Sequence, residues 1–164
     1  MLKVQALIDL GDFMFSSLKY FVIIISVTFF YFSQAEATNL PVTSHFGWRV
    51  HPITGEYKFH SGVDLGYDYG TPVATLFDGV VVLAGNYNDG YGNQVLMYHT
   101  AYDVYTRYAH LQAVYVSIGS ELVGSTIIGE VGSTGNSTGP HLHLEYMVRD
   151  STGNYTYIDP LCLF

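Results

Sequence analysis

Along residues 38–164 the apolar positions fall in short runs, separated by clusters of glycine, asparagine, aspartate and serine. Gly79–Ala84 (GVVVLA) is bounded by Asp78-Gly79 and Gly85-Asn86 and reads as a buried strand. Asn93–His99 (NQVLMYH) and Asp103–Leu111 (DVYTRYAHL) predict two more strands that pair with each other. His141–Val148 (HLHLEYMV) begins immediately after Gly139-Pro140 and alternates over its first positions. No window of a dozen residues in this region carries a 3.6-residue period, and the recurring glycines weigh against long helices at about 1 kcal/mol each. The pattern predicts a mainly β fold, a single compact antiparallel β-sheet domain over residues 38–164.

A different pattern precedes it. Tyr20–Phe32 (YFVIIISVTFFYF) is an uncharged run of 13 residues. A membrane-spanning helix needs ~20 apolar residues, whereas the core of an export signal has ~7–15. Lys19 stands before the run and Ala35-Glu36-Ala37 after it, small residues at the spacing a signal peptidase accepts. Residues 1–37 are therefore expected to be a cleaved signal peptide, with an uncleaved N-terminal anchor as the alternative. Asp9 and Asp12 cancel Lys3 and Lys19, although a signal normally starts positive. A start at Met14 (MFSSLKYFVIII) would restore the usual layout. The expected location is periplasmic or extracellular, with membrane contact only through the N-terminal segment if it is retained.

Composition narrows the classes. The chain has 164 residues, with 6 Lys plus Arg against 14 Asp plus Glu. Removing residues 1–37 leaves 4 basic and 11 acidic residues, a net charge of −7. Such a balance argues against nucleic acid as a partner, because phosphate neutralisation calls for a basic face. Cys162 is the single cysteine, so there is no internal disulfide, and no role is assigned to it. A monomer is expected.

All seven histidines lie beyond residue 44. His60-Ser-Gly-Val-Asp64 places a histidine and a carboxylate four apart. Gly62, Val63 and Gly66 disfavour a helix, and a straight strand would hold the two ~13 Å apart, too far to share a metal. A bend at Gly62 would bring them together. In His141-Leu142-His143 the two imidazoles share one face of a strand. Glu145 falls on that same face, where it can accept from one ring. The ordinary alternative is a pair of half-exposed strand histidines. Together, His60, Asp64 and one of His141 and His143 offer two nitrogens and one oxygen. Three protein ligands with a fourth position open is the arrangement of a catalytic zinc site.

SHFGWRVHPITGEYKFHSGVDLG (Ser44–Gly66), YAHL (Tyr108–Leu111) and GSTGNSTGPHLHLE (Gly132–Glu145) resemble, in order, the blocks of the lysostaphin-type zinc metallopeptidases, metallopeptidase family 23, with their duplicated-hybrid-motif-like domain. The resemblance implies a compact antiparallel sheet with a groove over one zinc ion. It implies zinc ligands at His60, Asp64 and His143, and catalytic histidines at His110 and His141. It further implies hydrolysis of peptide cross-links in bacterial peptidoglycan, and the first block looks more like members that cut D-alanyl–diaminopimelate bonds. The competing expectation is a relative without activity that binds and activates a cell-wall amidase; such members lose ligands, and here all five positions are filled. Leu144 stands where phenylalanine is common, and no separate wall-binding module is recognisable. Arg49 is a candidate clamp for a substrate carboxylate, or else the partner of an acid. His45, His51 and His99 read as structural. Ser137 and Thr138 are expected to fix the loop before His141. Tyrosines between Tyr87 and Tyr108 either line a groove or fill strand positions.

Overall fold

The computed structural model describes residues 40–51 and 54–164; the expected export segment, residues 1–37, lies outside them. The described chain is built from strands: β1 (Val42–Ser44), β2 (Gly47–Val50), β3 (Tyr57–His60), β4 (Val63–Leu65), β5 (Pro72–Ala74), β6 (Gly79–Asn86), β7 (Asn93–His99), β8 (Val104–Val114), β9 (Glu121–Leu122), β10 (Ile127–Val131), β11 (Leu142–Arg149) and β12 (Tyr155–Ile158), followed by a 3-10 turn at Pro160–Leu163. The strand runs expected from the hydrophobic pattern are β6, β7, β8 and β11, and β7 pairs with β8.

Ten strands form one sheet with the main order β1-β4-β11-β8-β7-β6-β9, all pairs antiparallel. β10 joins β5 and β8, and β12 joins β11. β2 and β3 form a separate two-stranded ribbon. The core holds Val63, Val81, Val95, Met97, Leu111, Ile128, Val131 and Leu144, each essentially removed from water. Burying each such side chain contributes roughly 1.5–3 kcal/mol, which carries the fold without a disulfide. Buried Tyr108 packs in this core, and its hydroxyl accepts from the Leu76 amide at 2.9 Å.

β8 is the strand that positions the site. Through Ala109 it pairs with β11, in the register Ala109–His143. From Leu111 onward it pairs with β10, in the register Leu111–Val131. The change occurs at a bulge: Tyr108 and Leu111 of β8 face Val95 and Asn93 of β7, three steps against two. The extra residue falls at His110, whose φ is +62°. Histidine is among the few non-glycine residues that visit this left-handed region. Its amide still donates to the Tyr91 carbonyl at 2.9 Å, so the bulge leaves no orphan N–H there.

Candidate metal centre and groove

β3 ends at His60, and β4 begins at Val63. Ser61 and Gly62 turn the chain between them, so His60 and Asp64 point at the same space. A methyl group on Gly62 would overlap the Leu144 carbonyl and come within 2.9 Å of the His143 ring. The absent side chain thus lets this bend lie against β11. β4 pairs with β11 in the register Asp64–His143, which brings the carboxylate beside the imidazole.

His60, Asp64 and His143 form a buried group whose ligand atoms all lie within 4.8 Å of one another. Asp64 Oδ1 is 2.8 Å from His143 Nδ1 and 3.2 Å from His60 Nε2, and the two nitrogens are 3.1 Å apart. The far side of each ring shows where its proton sits. His60 Nδ1 faces the His45 carbonyl at 2.8 Å and donates to it, leaving Nε2 as a lone pair. His143 is reversed: Nε2 faces Glu145 Oε1 at 3.4 Å, so Nδ1 is turned inward. Two ring nitrogens and a carboxylate oxygen therefore converge on one point, and these donors are those of zinc. The residues fit the metal.

The carboxylates follow the same logic. Burial works to raise the Asp64 carboxyl, but its bonds to His143 and His60 outweigh this and hold it well below the usual carboxylate range. Glu145 is fully buried, and its desolvation is likewise outweighed by His143, Ser61 and Tyr91, so it stays ionised. It accepts from Ser61 Oγ and from the Tyr91 hydroxyl at 2.7 Å, and Arg107 Nε pairs with its other oxygen at 2.9 Å. Arg107 also stacks over the Tyr91 ring, 4.2 Å from its centroid.

The remaining two site histidines lie beside this centre. The rings of His110 and His141 are 4.8 Å apart, and His110 is 5.7 Å from His143. Each donates Nδ1–H to a backbone carbonyl, His110 to Thr134 and His141 to Gly139, both at 2.8 Å. Their Nε2 atoms are left for the groove, and that of His141 is 3.7 Å from Asp64 Oδ1. Burial first, then repulsion from His143 and His141, pushes His110 down to about 4 against the pull of the Thr134 carbonyl, so it is neutral at pH 7.

The groove over these residues has a volume of about 250 Å³ and is walled by the β2–β3 ribbon, the Asp89–Tyr91 loop and the Asn136–Thr138 segment. Arg49 lines it, with one guanidinium nitrogen 3.5 Å from Asp64 Oδ2. Ser137 fixes the loop before His141: its hydroxyl donates to the Gly139 carbonyl at 2.8 Å and lies 3.4 Å from His141 Nδ1. These bonds come from Ser137 rather than Thr138. His99 is buried between the Asp78 carbonyl and Thr106 Oγ1, a packing role. His45 contributes its carbonyl rather than its ring. His51 lines the groove and accepts from the Thr54 amide through Nδ1 at 3.3 Å. Of the tyrosines, Tyr91 reaches the groove and Tyr108 the core. Ser61, Tyr91, Arg107 and Thr134 also support the site. In the sequence only the closeness of Ser61 to His60 hinted at this, because the other contacts are made across strands.

An antiparallel sheet bearing an open two-histidine, one-aspartate centre under a groove defines the class, a β domain with a zinc site of the catalytic type. The chain belongs to Peptidase family M23, whose model matches residues 58–160, and the peptidases of this family are zinc-dependent. It is 44% identical over 113 residues to the DD-carboxypeptidase/endopeptidase Mpg of Neisseria meningitidis, covering 69% of this chain and 26% of that protein. It is 38% identical over 116 residues to lysostaphin of Staphylococcus simulans, covering 71% of this chain and 23% of that protein. The chain thus spans about a quarter of the length of the curated relatives it matches. Among solved structures it resembles the lysostaphin catalytic domain of S. simulans, with TM-score 0.66 and 35% identity over 76% of this chain and 91% of that one. It also resembles a zinc-containing peptidase from Vibrio cholerae, with TM-score 0.59 and 34% identity over 71% of this chain and 35% of that one.

Proposed function

We propose that the protein is a zinc-dependent endopeptidase that hydrolyses peptide cross-links of peptidoglycan outside the cytoplasm, with residues 38–164 as the working domain and residues 1–37 as its export segment. The observation that carries this reading is the convergence of His60 Nε2, Asp64 Oδ1 and His143 Nδ1, all turned inward by partners on their far sides. Among relatives, Mpg is named a DD-carboxypeptidase/endopeptidase and ShyC of Vibrio cholerae a peptidoglycan DD-endopeptidase, the latter 42% identical over 108 residues. Their higher identity than lysostaphin's supports a bond of the D-alanyl–diaminopimelate type.

In this reading His60, Asp64 and His143 hold the metal. When bound, zinc polarises the scissile carbonyl and lowers the pKa of a coordinated water. The chain's own groups do the rest. His110 and His141 present their Nε2 atoms to the groove, each ring locked by a carbonyl behind it. They share the transfer of the proton from the attacking water to the departing amine and the support of the developing oxyanion. Glu145, held by Arg107, Tyr91 and Ser61, keeps His143 in the tautomer that ligates.

The two roles separate experimentally. His143→Ala should lose both zinc, by metal analysis, and hydrolysis of cross-linked peptidoglycan. His141→Ala should keep about one zinc per chain and lose hydrolysis by ~100-fold or more. Near wild-type hydrolysis by His141→Ala would contradict the assignment.

A further inference from the structure

Cations are few in this chain and unevenly placed. Of the four Lys and Arg between residues 40 and 164, Arg107 is paired with Glu145 and Arg149 with Asp103. The other two, Arg49 and Lys58, stand directly across from each other in the β2–β3 register, and both line the groove. Like charges at facing positions of an antiparallel pair repel, so this rung weakens the ribbon that carries His60. Lys58 has no ion pair among the described residues. Arg49 reaches Asp64 with one nitrogen, while its Nε is buried without a hydrogen-bond partner. The carboxylate of Asp64 is itself already committed to His143 and His60.

The rung is also well placed. Lys58 and His60 lie two apart in β3 and so share a face, roughly 7 Å apart along the strand. Gly47 faces His60 across the ribbon, so no side chain intervenes there. The alternate positions Trp48, Val50, Tyr57 and Phe59 point to the ribbon's other face. In a domain with 11 acids, this is a concentrated positive spot one same-face step from a metal ligand.

Resting on the endopeptidase reading, we propose that Arg49 and Lys58 form a carboxylate-binding subsite, selecting peptides in which the residue that supplies the scissile amide nitrogen carries a free carboxylate on its α-carbon. In a D-alanyl–diaminopimelate cross-link the released amine has such a carboxylate on the adjacent carbon. A terminal D-alanyl–D-alanine has one as well. An internal glycyl-glycine bond has none, because the next carbonyl is tied up in another amide. Both cations are provided with one anion by the right substrate, which removes their mutual repulsion at the moment of binding.

The test compares a cross-linked muropeptide dimer bearing the free diaminopimelate carboxylate with the same dimer in which that group is a primary amide. Zinc-loaded wild type should cleave the acid with a kcat/KM at least about tenfold above the amide, mostly through KM, as expected for charge-assisted bonds. Lys58→Glu gives Arg49 a partner across the rung, so the acid-to-amide ratio should fall to within about twofold of unity. Its zinc content should match wild type and its Tm should not fall, which a merely structural role for Lys58 would not produce. Lys58→Met should give an intermediate ratio. Equal cleavage of acid and amide by wild type, or a wild-type ratio in Lys58→Glu, would overturn the subsite alone. Cleavage of neither dimer would overturn the endopeptidase reading on which it rests.

Discussion

His143 is oriented opposite to the other site histidines, and one neighbour accounts for it. His60, His110 and His141 each give Nδ1–H to a backbone carbonyl, whereas His143 turns Nε2 towards the carboxylate of Glu145. Glu145→Gln should therefore weaken zinc binding by ~10–100-fold in a competitive chelator titration, and Arg107→Met should act in the same direction through Glu145. A second prediction concerns stability. His99 has its pKa lowered by burial against the pull of the Asp78 carbonyl, so the unfolded chain takes up the proton more readily than the folded one. Its contribution is fully present above its ordinary value of 6.5 and is lost as pH falls from there towards the folded value. Thermal unfolding between pH 7.5 and 5 should show a Tm that falls with acidity, and a shallower fall in His99→Asn, whose amide can still donate to Asp78. The residues that converge in the candidate site, and their spacing, were legible in the sequence, because same-face placement in a strand follows from a spacing of two. Tyr91 and Arg107 were not, since their approach to Glu145 depends on which strands lie side by side.

Two local departures from regular strand geometry assemble these residues. The bend at Gly62 was readable, because a straight strand would separate His60 from Asp64. Its second function, admitting the His143 ring and the Leu144 carbonyl, needed the β4–β11 pairing. Gly62→Ala should cost on the order of 1–3 kcal/mol in denaturant unfolding and impair zinc uptake beyond that loss, because the displaced ring is that of His143, a proposed ligand. The bulge at His110 left no sign in YAHL, where alternation continues through the extra residue. Its left-handed φ is imposed where β8 passes from β11 to β10, and this re-aims the ring at the groove. β6, β7, β8 and β11 were visible as apolar runs. The other eight strands were not predicted, since two to five residues hold too little periodicity to detect.

On the scale of the molecule, the sheet brings two segments far apart in the chain, His60–Asp64 and His143, to one candidate metal site. Zinc bound only by the folded form stabilises it by mass action, about 4 kcal/mol at a thousandfold excess over Kd. Chelation should lower Tm by roughly 10 °C, and added zinc should restore it. The acidity of residues 38–164 belongs in part to this arrangement, because Asp64 and Glu145 are committed to the centre. The family and the mainly β fold were legible from three sequence blocks, whereas the carboxylate-selective rung emerged only when β2 and β3 were set in register. The most direct test of the central claim is mass spectrometry of purified cross-linked muropeptide dimers after incubation with the protein, with chelator-treated protein and with chelated protein given zinc again. Dimers should be converted to monomers in the first and third samples only, with the new amine on diaminopimelate. Intact dimers in the presence of zinc, or equal cleavage after chelation, would contradict that claim.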